Sequence, residues 1–489
     1  MGLIDILHSI SKTLPSVRVP TSPPNTKERL TWTAIAVILF FIMYHITALG
    51  VKDSSSGSLD FLQTITASRL GSLLTVGIGP IVLASIFLQL FVGAKLINLD
   101  MKSKEGREKF HEAQKVLGIV LAFAEAAIFV ITARVLLIPL FPGLGEGILA
   151  DGSVNAPYTM ALVIIQVALG SIILQYLDEV VSKYGLGSGI SLFIAAGVSM
   201  SIIGGLVGLI FEPNGVIDTL TGGGAESIPG ALIVLLPFIF TIIVFFAVVY
   251  AEGIKVEIPI AFERVRGMAP KLPLKLFYVS NIPVIFASAL LLNVQLFSAS
   301  LLPKATDLEA IKSNPLSYLG VVDSSNRLID GFFYYITPPP FFTRDTAQHF
   351  NFLLSTNSPV FQIPEWFHAL SYIIFLSLAS ILFGLFWVET SNMDAKSVAS
   401  QLGDSGIQIP GFRRDPRMLE TILNKHILPL TILGSFSVGI LAGLADLTGA
   451  LGTGTGILLT VGIFYRLYEQ MEQMKIFDLY PSMGSMFKD

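Results

Sequence analysis

Apolar runs of about twenty residues recur along the whole of this chain, and no other feature restricts its fold so tightly. A run of that length crosses ~30 Å of hydrocarbon as a helix. Ten can be placed, at 30–50, 72–94, 114–137, 157–177, 187–211, 230–251, 276–300, 366–389, 425–444 and 453–472. The run at 425–444 is the weakest, being interrupted by Pro429 and several glycines. In lipid every backbone N–H and C=O has to find its partner inside the protein, which for an open chain leaves the helix. The expected fold is an all-α integral membrane protein with about ten transmembrane helices. Charge content agrees: 13% of the 489 residues are Asp, Glu, Lys or Arg, about half the fraction of a soluble domain.

Loop charge sets the expected orientation. With the N-terminus in the cytoplasm, seven of the 31 Lys and Arg fall outside: Lys52, Arg69, Arg134, Lys304, Lys312, Arg327 and Arg344. The other 24 lie inside, so both termini of this multi-pass cell-membrane protein are expected on the cytoplasmic side. Ten spans divide into five and five, and the odd number turns the second half upside down, which permits two pseudo-symmetric inverted halves. The expected divisions are a cytoplasmic segment 1–29, a first half 30–211, an external linker 212–229, a second half 230–472 and a tail 473–489. Within the second half, 301–365 contains Pro338-Pro339-Pro340 and reads as an external cap. Leu3, Ile6, Leu7 and Ile10 predict a short amphipathic helix on the membrane surface rather than a signal peptide. The absence of cysteine excludes disulfides and thiolate chemistry.

Motifs for catalysis are incomplete. His111-Glu112-Ala113-Gln114-Lys115 starts like a zinc helix but carries lysine where the second histidine is required. Gly185-Leu186-Gly187-Ser188-Gly189 lacks the spacing of a nucleophile elbow. The chain is therefore expected to be no enzyme, with no metal site and no cofactor. A secondary carrier for a small solute stays open as the alternative, since Glu125 and Asp446 are acids near or within spans. The remaining signal is in three glycine-rich span starts: Gly77-Ile78-Gly79-Pro80-Ile81-Val82, Gly187-Ser188-Gly189-Ile190 and Leu451-Gly452-Thr453-Gly454-Thr455-Gly456. Small residues there allow close helix packing. They also allow the aliphatic side chains that follow to converge and exclude water and ions by dewetting. Such a seal grips no particular solute but can yield around a chain of any sequence.

These stretches resemble SecY, the channel subunit of the protein-conducting Sec translocon, over about residues 1–475. The landmarks are Thr64-Ile65-Thr66-Ala67-Ser68-Arg69, Tyr176-Leu177-Asp178-Glu179, Ser280-Asn281-Ile282-Pro283-Val284-Ile285 and Tyr465-Arg466-Leu467-Tyr468-Glu469-Gln470. Tyr184-Gly185-Leu186-Gly187-Ser188-Gly189 and Trp387-Val388-Glu389-Thr390 look like the archaeal and eukaryotic branch. The resemblance implies a channel that passes unfolded polypeptides across the membrane and releases hydrophobic segments sideways into lipid. It implies a pore ring of Ile78, Val82, Ile190, Ile194, Ile285 and Leu459. The plug helix, 59–68, would contain Leu59, Asp60, Phe61, Leu62, Gln63, Thr64, Ile65 and Thr66. Glu125 and Asn293 match two polar residues of a lateral gate between spans 2–3 and 7–8. The third position, usually a hydroxyl residue, is Leu83 here, with Ser85 close along the helix. Implied partners are small SecE/gamma-type and beta-type membrane subunits, signal sequences, nascent polypeptides and membrane lipid. Ribosomes would dock on cytoplasmic loops through Lys255, Arg264, Arg266, Arg413 and Arg414, and basic loops of this kind suit a polyanion on physical grounds as well. Lys271 and Lys275 lie in the same loop.

Overall fold

A computed structural model of the chain describes residues 3–22, 24–52, 63, 66–93, 96–97, 99, 103–131, 137–148, 154–211, 215–221, 227–259, 261–262, 271–305, 314–323, 327–339, 346–404, 407–408 and 416–479. Ten helices carry the membrane part and are numbered here in chain order: α1 Thr26–His45, α2 Gly79–Gly93, α3 Lys104–Ile131, α4 Pro157–Tyr184 and α5 Gly189–Phe211. The second set is α6 Ser227–Gly253, α7 Ile282–Leu301, α8 Glu365–Thr390, α9 Pro416–Leu447 and α10 Gly454–Leu479. Among the described residues seven are long and apolar enough to cross a membrane, and α2 and α7 are shorter apolar helices. The protein is an all-α membrane protein of two five-helix halves, the second inverted relative to the first.

Local chemistry sets several helix ends. Asn25 and Glu28 form a reciprocal capping box at the start of α1, with Asn25 Oδ1 accepting the Glu28 amide at 2.9 Å. The expected span 72–94 is helical from Gly79 only, because residues 72–78 fold as turns and Gly77 has a φ of +58°. Helix α3 starts ten residues before the expected 114, its charged first turns extending beyond the apolar run. Pro429 interrupts the apolar run but not the helix, and α9 runs unbroken for 32 residues. A proline inside a helix costs one backbone hydrogen bond and about 3 kcal/mol. Here Leu423, Ile427 and Leu430 are buried on one side of the bundle and Val438, Ala442 and Ala445 further along, so packing on both sides of the proline holds the helix.

One apolar cluster runs through both halves, from Phe40 of α1 and Ile86 of α2 to Leu376 of α8, Val438 of α9 and Leu458 of α10. A second joins Ala122, Ala126 and Phe129 of α3 to Val163 and Val167 of α4 and to Leu292 and Leu296 of α7. Outward-facing side chains such as Ile38 and Phe246 are exposed, as lipid contact requires.

Polar structure gathers at the two ends. On one side Asp330, with no exposed surface, accepts the Tyr335 hydroxyl at 2.9 Å and the Val360 and Phe361 amides at 2.9 and 2.7 Å. Glu365 accepts the Tyr334 hydroxyl, and His368 bonds the Thr337 carbonyl, fastening the 330–337 turn to the start of α8. Burial first, then Glu365 for Tyr334, pushes the Tyr334 and Tyr335 phenols well above their ordinary range. On the other side the short helix Leu3–Ser11 packs against α3, where Ser11 donates to Glu112 at 2.8 Å. The lysine that spoils the zinc motif has its own task. Lys115 Nζ bonds the Pro15 carbonyl at 2.8 Å and Glu179 at 2.9 Å, strapping the N-terminal segment across α3 and α4. Strands Lys255–Pro259 and Lys271–Lys275 form an antiparallel hairpin after α6. Ala261–Phe262 pairs with Ile407–Gln408, joining the segment after α6 to the segment after α8.

Candidate functional site

The aliphatic residues singled out from the span starts come from four helices: Ile78 and Val82 at α2, Ile190 and Ile194 of α5, Ile285 of α7 and Leu459 of α10. Five belong to the main buried cluster, and Ile190 packs against it partly buried. Exposures of 1% for Ile78 and 0% for Ile194 and Leu459 place these side chains inside the bundle. Helices α2, α5, α7 and α10, far apart in sequence, therefore contribute to one apolar interior.

Three of these helix starts, those of α2, α5 and α10, are pinned by polar contacts. The Ile78 amide donates to the Thr66 carbonyl at 2.9 Å, so the turn bearing the first aliphatic is tied to the segment before it. Gly77 permits this, because a Cβ at its positive φ would overlap that same carbonyl oxygen. Ser171 of α4 donates to the Gly77 carbonyl at 2.8 Å from the other side. At α5, Asp178 Oδ1 accepts the Ile190 amide at 2.9 Å, and a Cβ on Gly189 would lie 2.5 Å from Asp178 Cα. At α10, Asp446 accepts the Thr455 amide at 2.8 Å, the Thr455 hydroxyl, and the Tyr372 hydroxyl at 2.7 Å. Both its carboxyl oxygens are committed to α8 and α10. That is the arrangement of a structural acid rather than of an open ion site. At these starts the glycines admit a close neighbour.

Of the expected plug, 59–68, Gln63, Thr66, Ala67 and Ser68 are described. Gln63 Oε1 accepts the Leu70 amide at 3.2 Å, and Thr66 is buried with its hydroxyl 2.6 Å from that of Ser68. Leu59, Asp60, Phe61, Leu62, Thr64 and Ile65 lie outside the described residues. Ala67, next along, is fully buried in the main cluster, 3.1 Å from the position a Cβ would take on Gly197.

The seam expected between α2–α3 and α7–α8 is packed, with α2 against α7 and α8 and α3 against α7. Glu125 and Asn293 are both buried there, at 2% and 3% exposure. They do not bond each other. Asn293 Nδ2 donates to the Ala289 carbonyl of its own helix, and Glu125 Oε1 and Asn293 Oδ1 are buried without a hydrogen-bond partner. Glu125 lies instead against the start of α2: a Cβ on Gly79 would be 2.8 Å from Glu125 Oε2 and 3.5 Å from Thr66 Cγ2. Leu83 is buried, while Ser85 accepts from Gln89 of its own helix at 3.4 Å.

On the basic side, Lys255 opens the hairpin, and Arg264, Arg266, Arg413 and Arg414 lie outside the described residues. Lys275 does not belong with the free basic residues. Its Nζ is 2.6 Å from Glu469 and lies over the Tyr465 ring at 4.6 Å. Sequence reasoning missed this pair, and it missed the structural roles of Asp178, Asn281 and Asp446. The one available signal was positional, since Asn281 directly precedes a helix and Asp178 and Asp446 lie about ten residues before one.

Comparison with known proteins agrees with this architecture over the whole chain. The protein translocase subunit SecY of Methanocaldococcus jannaschii is 41% identical over 485 residues, covering 99% of both chains. That of Pyrococcus horikoshii is 39% identical and covers all of both. Among solved structures, one of a protein-conducting channel matches with a TM-score of 0.76 at 40% identity, covering 98% of this chain and 99% of the other. A study of the SecY plug domain, which stabilises the closed channel and maintains a membrane seal, matches at 0.74 and 38% over the same shares. Sec61 in the canine ribosome–channel complex of the endoplasmic reticulum matches at 0.73 and 40%, again over 98% and 99%. The SecY family profile itself aligns with residues 72–468, and with fold, helix order and sequence in agreement the chain belongs to the SecY family.

Proposed function

We propose that this chain is the central subunit of a protein-conducting channel, passing unfolded polypeptides across the membrane and releasing apolar segments sideways into lipid. One observation carries the reading: aliphatic side chains from α2, α5, α7 and α10 enter a single buried cluster that also receives the Thr66–Ala67 segment. In this reading Ile78, Val82, Ile190, Ile194, Ile285 and Leu459 form the dewetted seal. The 59–68 segment is the plug that blocks it from outside, and the seam holding Glu125 and Asn293 is where the wall parts. The seal presents no directed polar ligand, and Asp446 has both oxygens engaged, which favours a channel over a coupled carrier. Both termini face the cytoplasm, as the lysine and arginine distribution favours. The cytoplasmic hairpin and the loop after α8 receive ribosomes through Lys255, Arg264, Arg266, Arg413 and Arg414, a role supported by the ribosome-bound canine relative. A single-helix SecE/gamma-type subunit and a beta-type subunit bind the lipid-facing surface. The channel performs no chemical step, so an external motor or translation supplies the drive.

Site-specific crosslinking tests this. A photo-reactive residue at position 190 or 459 is expected to form adducts with a stalled nascent chain bearing an apolar signal, and one at the exposed Ile243 is not. No adduct from 190 or 459, or equal labelling at all three, refutes the channel reading.

A further inference from the structure

Asparagine directly before a helix ordinarily caps it, its side chain accepting an amide of the first turn. Asn281 stands at that position before α7 and makes no such bond. Its Nδ2 crosses to α10 and donates to the Leu458 carbonyl at 3.0 Å. The side chain is 3% exposed, and Oδ1 is left buried without a partner. A polar group is thus buried at a cost, and its own helix gains nothing. What the bond does is hold together two helices, four residues before Ile285 on one and next to Leu459 on the other.

Helix α10 is shaped to receive it. Gly462 is one turn beyond Leu458, and a Cβ there would overlap Asn281 Nδ2 and lie 2.9 Å from Glu252 Oε1. Further along the same face are Tyr465 and Glu469, which hold Lys275 at the end of the cytoplasmic hairpin. Positions 458, 462, 465 and 469 follow the i, i+4, i+7, i+11 stripe of one helix face. From Leu459 to Glu469 is about 15 Å at 1.5 Å per residue. One stripe of α10 therefore begins at Leu458, the chain neighbour of the seal residue Leu459, and ends at the contact with the base of the basic hairpin.

We propose that Asn281 and Lys275 are positioning residues. Through α10 they register Ile285 and Leu459 with each other and tie both to the cytoplasmic hairpin, so that a load on the hairpin reaches the seal. The proposal rests on the channel reading above. It also gives physical roles to the two landmark motifs around Asn281 and Glu469.

Resting ion conductance of the full-length chain in planar bilayers tests it, with thermal unfolding as the check on folding. Asn281→Ala is expected to raise conductance about fivefold, the equivalent of one net hydrogen bond. Asn281→Asp keeps the volume but loses the donor, and Gly462→Ala displaces the amide from the other helix; each should leak to a similar extent. The double variant Asn281→Ala/Gly462→Ala should be no worse than either single change, because all remove the same bond. Lys275→Glu should also leak, and the charge swap Lys275→Glu/Glu469→Lys should restore the seal. If Ile190→Gly leaks while the Asn281 and Gly462 variants stay at the wild-type level, the positioning role is wrong and the seal stands. Leak confined to Asn281→Ala, or strictly additive leak, makes the effect one of lost volume and overturns the proposal. A Lys275→Glu leak that the swap does not repair removes the hairpin from it. If Ile190→Gly itself does not leak, the channel reading fails first.

Discussion

Replacing Gly77 with alanine tests the link between the plug segment and the seal most directly. The glycine has a φ of +58°, and its would-be Cβ overlaps the Thr66 carbonyl oxygen that receives the Ile78 amide at 2.9 Å. Two costs follow, and they separate by state. Alanine in the left-handed region costs about 1–2 kcal/mol wherever that turn is kept, whether or not the plug is seated. The overlap with Thr66 exists only while the segment is docked. Relieving it pulls the carbonyl away and orphans the buried Ile78 amide, at about 1–3 kcal/mol. The second cost alone shifts the balance between sealed and unsealed forms, by roughly 5–150-fold. Single-channel recording in planar bilayers reads this as a raised resting open fraction. Gly50→Ala is the control: it has a φ of +89° and meets Thr159 and Leu140 rather than Thr66. It should lower thermal stability without a leak. The reasoning is refuted if Gly77→Ala leaks no more than Gly50→Ala at matched stability.

Two further outcomes are expected. Asp446→Ala leaves the Thr455 amide and hydroxyl and the Tyr372 hydroxyl without their acceptor, so stability in detergent should fall by about 3 kcal/mol or more; an unchanged melting temperature would mean that water replaces the carboxylate. Glu146 is buried in the loop before α4, where burial pushes its carboxyl up and hydrogen bonds from the Thr159 hydroxyl and amide and the Phe141 amide outweigh that and hold it below the usual carboxylate range. A lowered carboxyl stabilises the fold fully above the ordinary carboxylate range and loses that contribution as pH falls through the lowered value. Hydrogen exchange of residues 137–148 should stay slow until the pH drops below that ordinary range, near 4.3, and Glu146→Gln should exchange fast at every pH. Early acceleration in the native chain, at or above that range, would contradict the assignment.

The spans were legible because transfer of a side chain into hydrocarbon is nearly additive along the chain, so twenty residues carry the answer locally. Boundaries were less so. Nothing local distinguishes the turns at 72–78 from the first residues of α2, and Pro429 weakens the apolar run of a helix whose packing on both sides of it the sequence does not show. The aliphatic residues of the site could be named because they follow recognisable motifs, and they were expected to converge. The polar groups that pin them were not foreseen as such.

The sequence by itself determined an integral helical membrane protein, its approximate spans and the family it resembles. Hydropathy and charge are properties of residues, and they survive without coordinates. Tertiary structure alone decided that Asn281 serves α10 rather than its own helix, that Lys275 is spent on Glu469, that Glu125 meets Gly79 instead of Asn293, and that Asp446 is a joint between three helices. Each of these depends on which distant backbone comes within about 3 Å of a polar atom. That distance is fixed by the packing of the whole bundle, and no stretch of chain contains it.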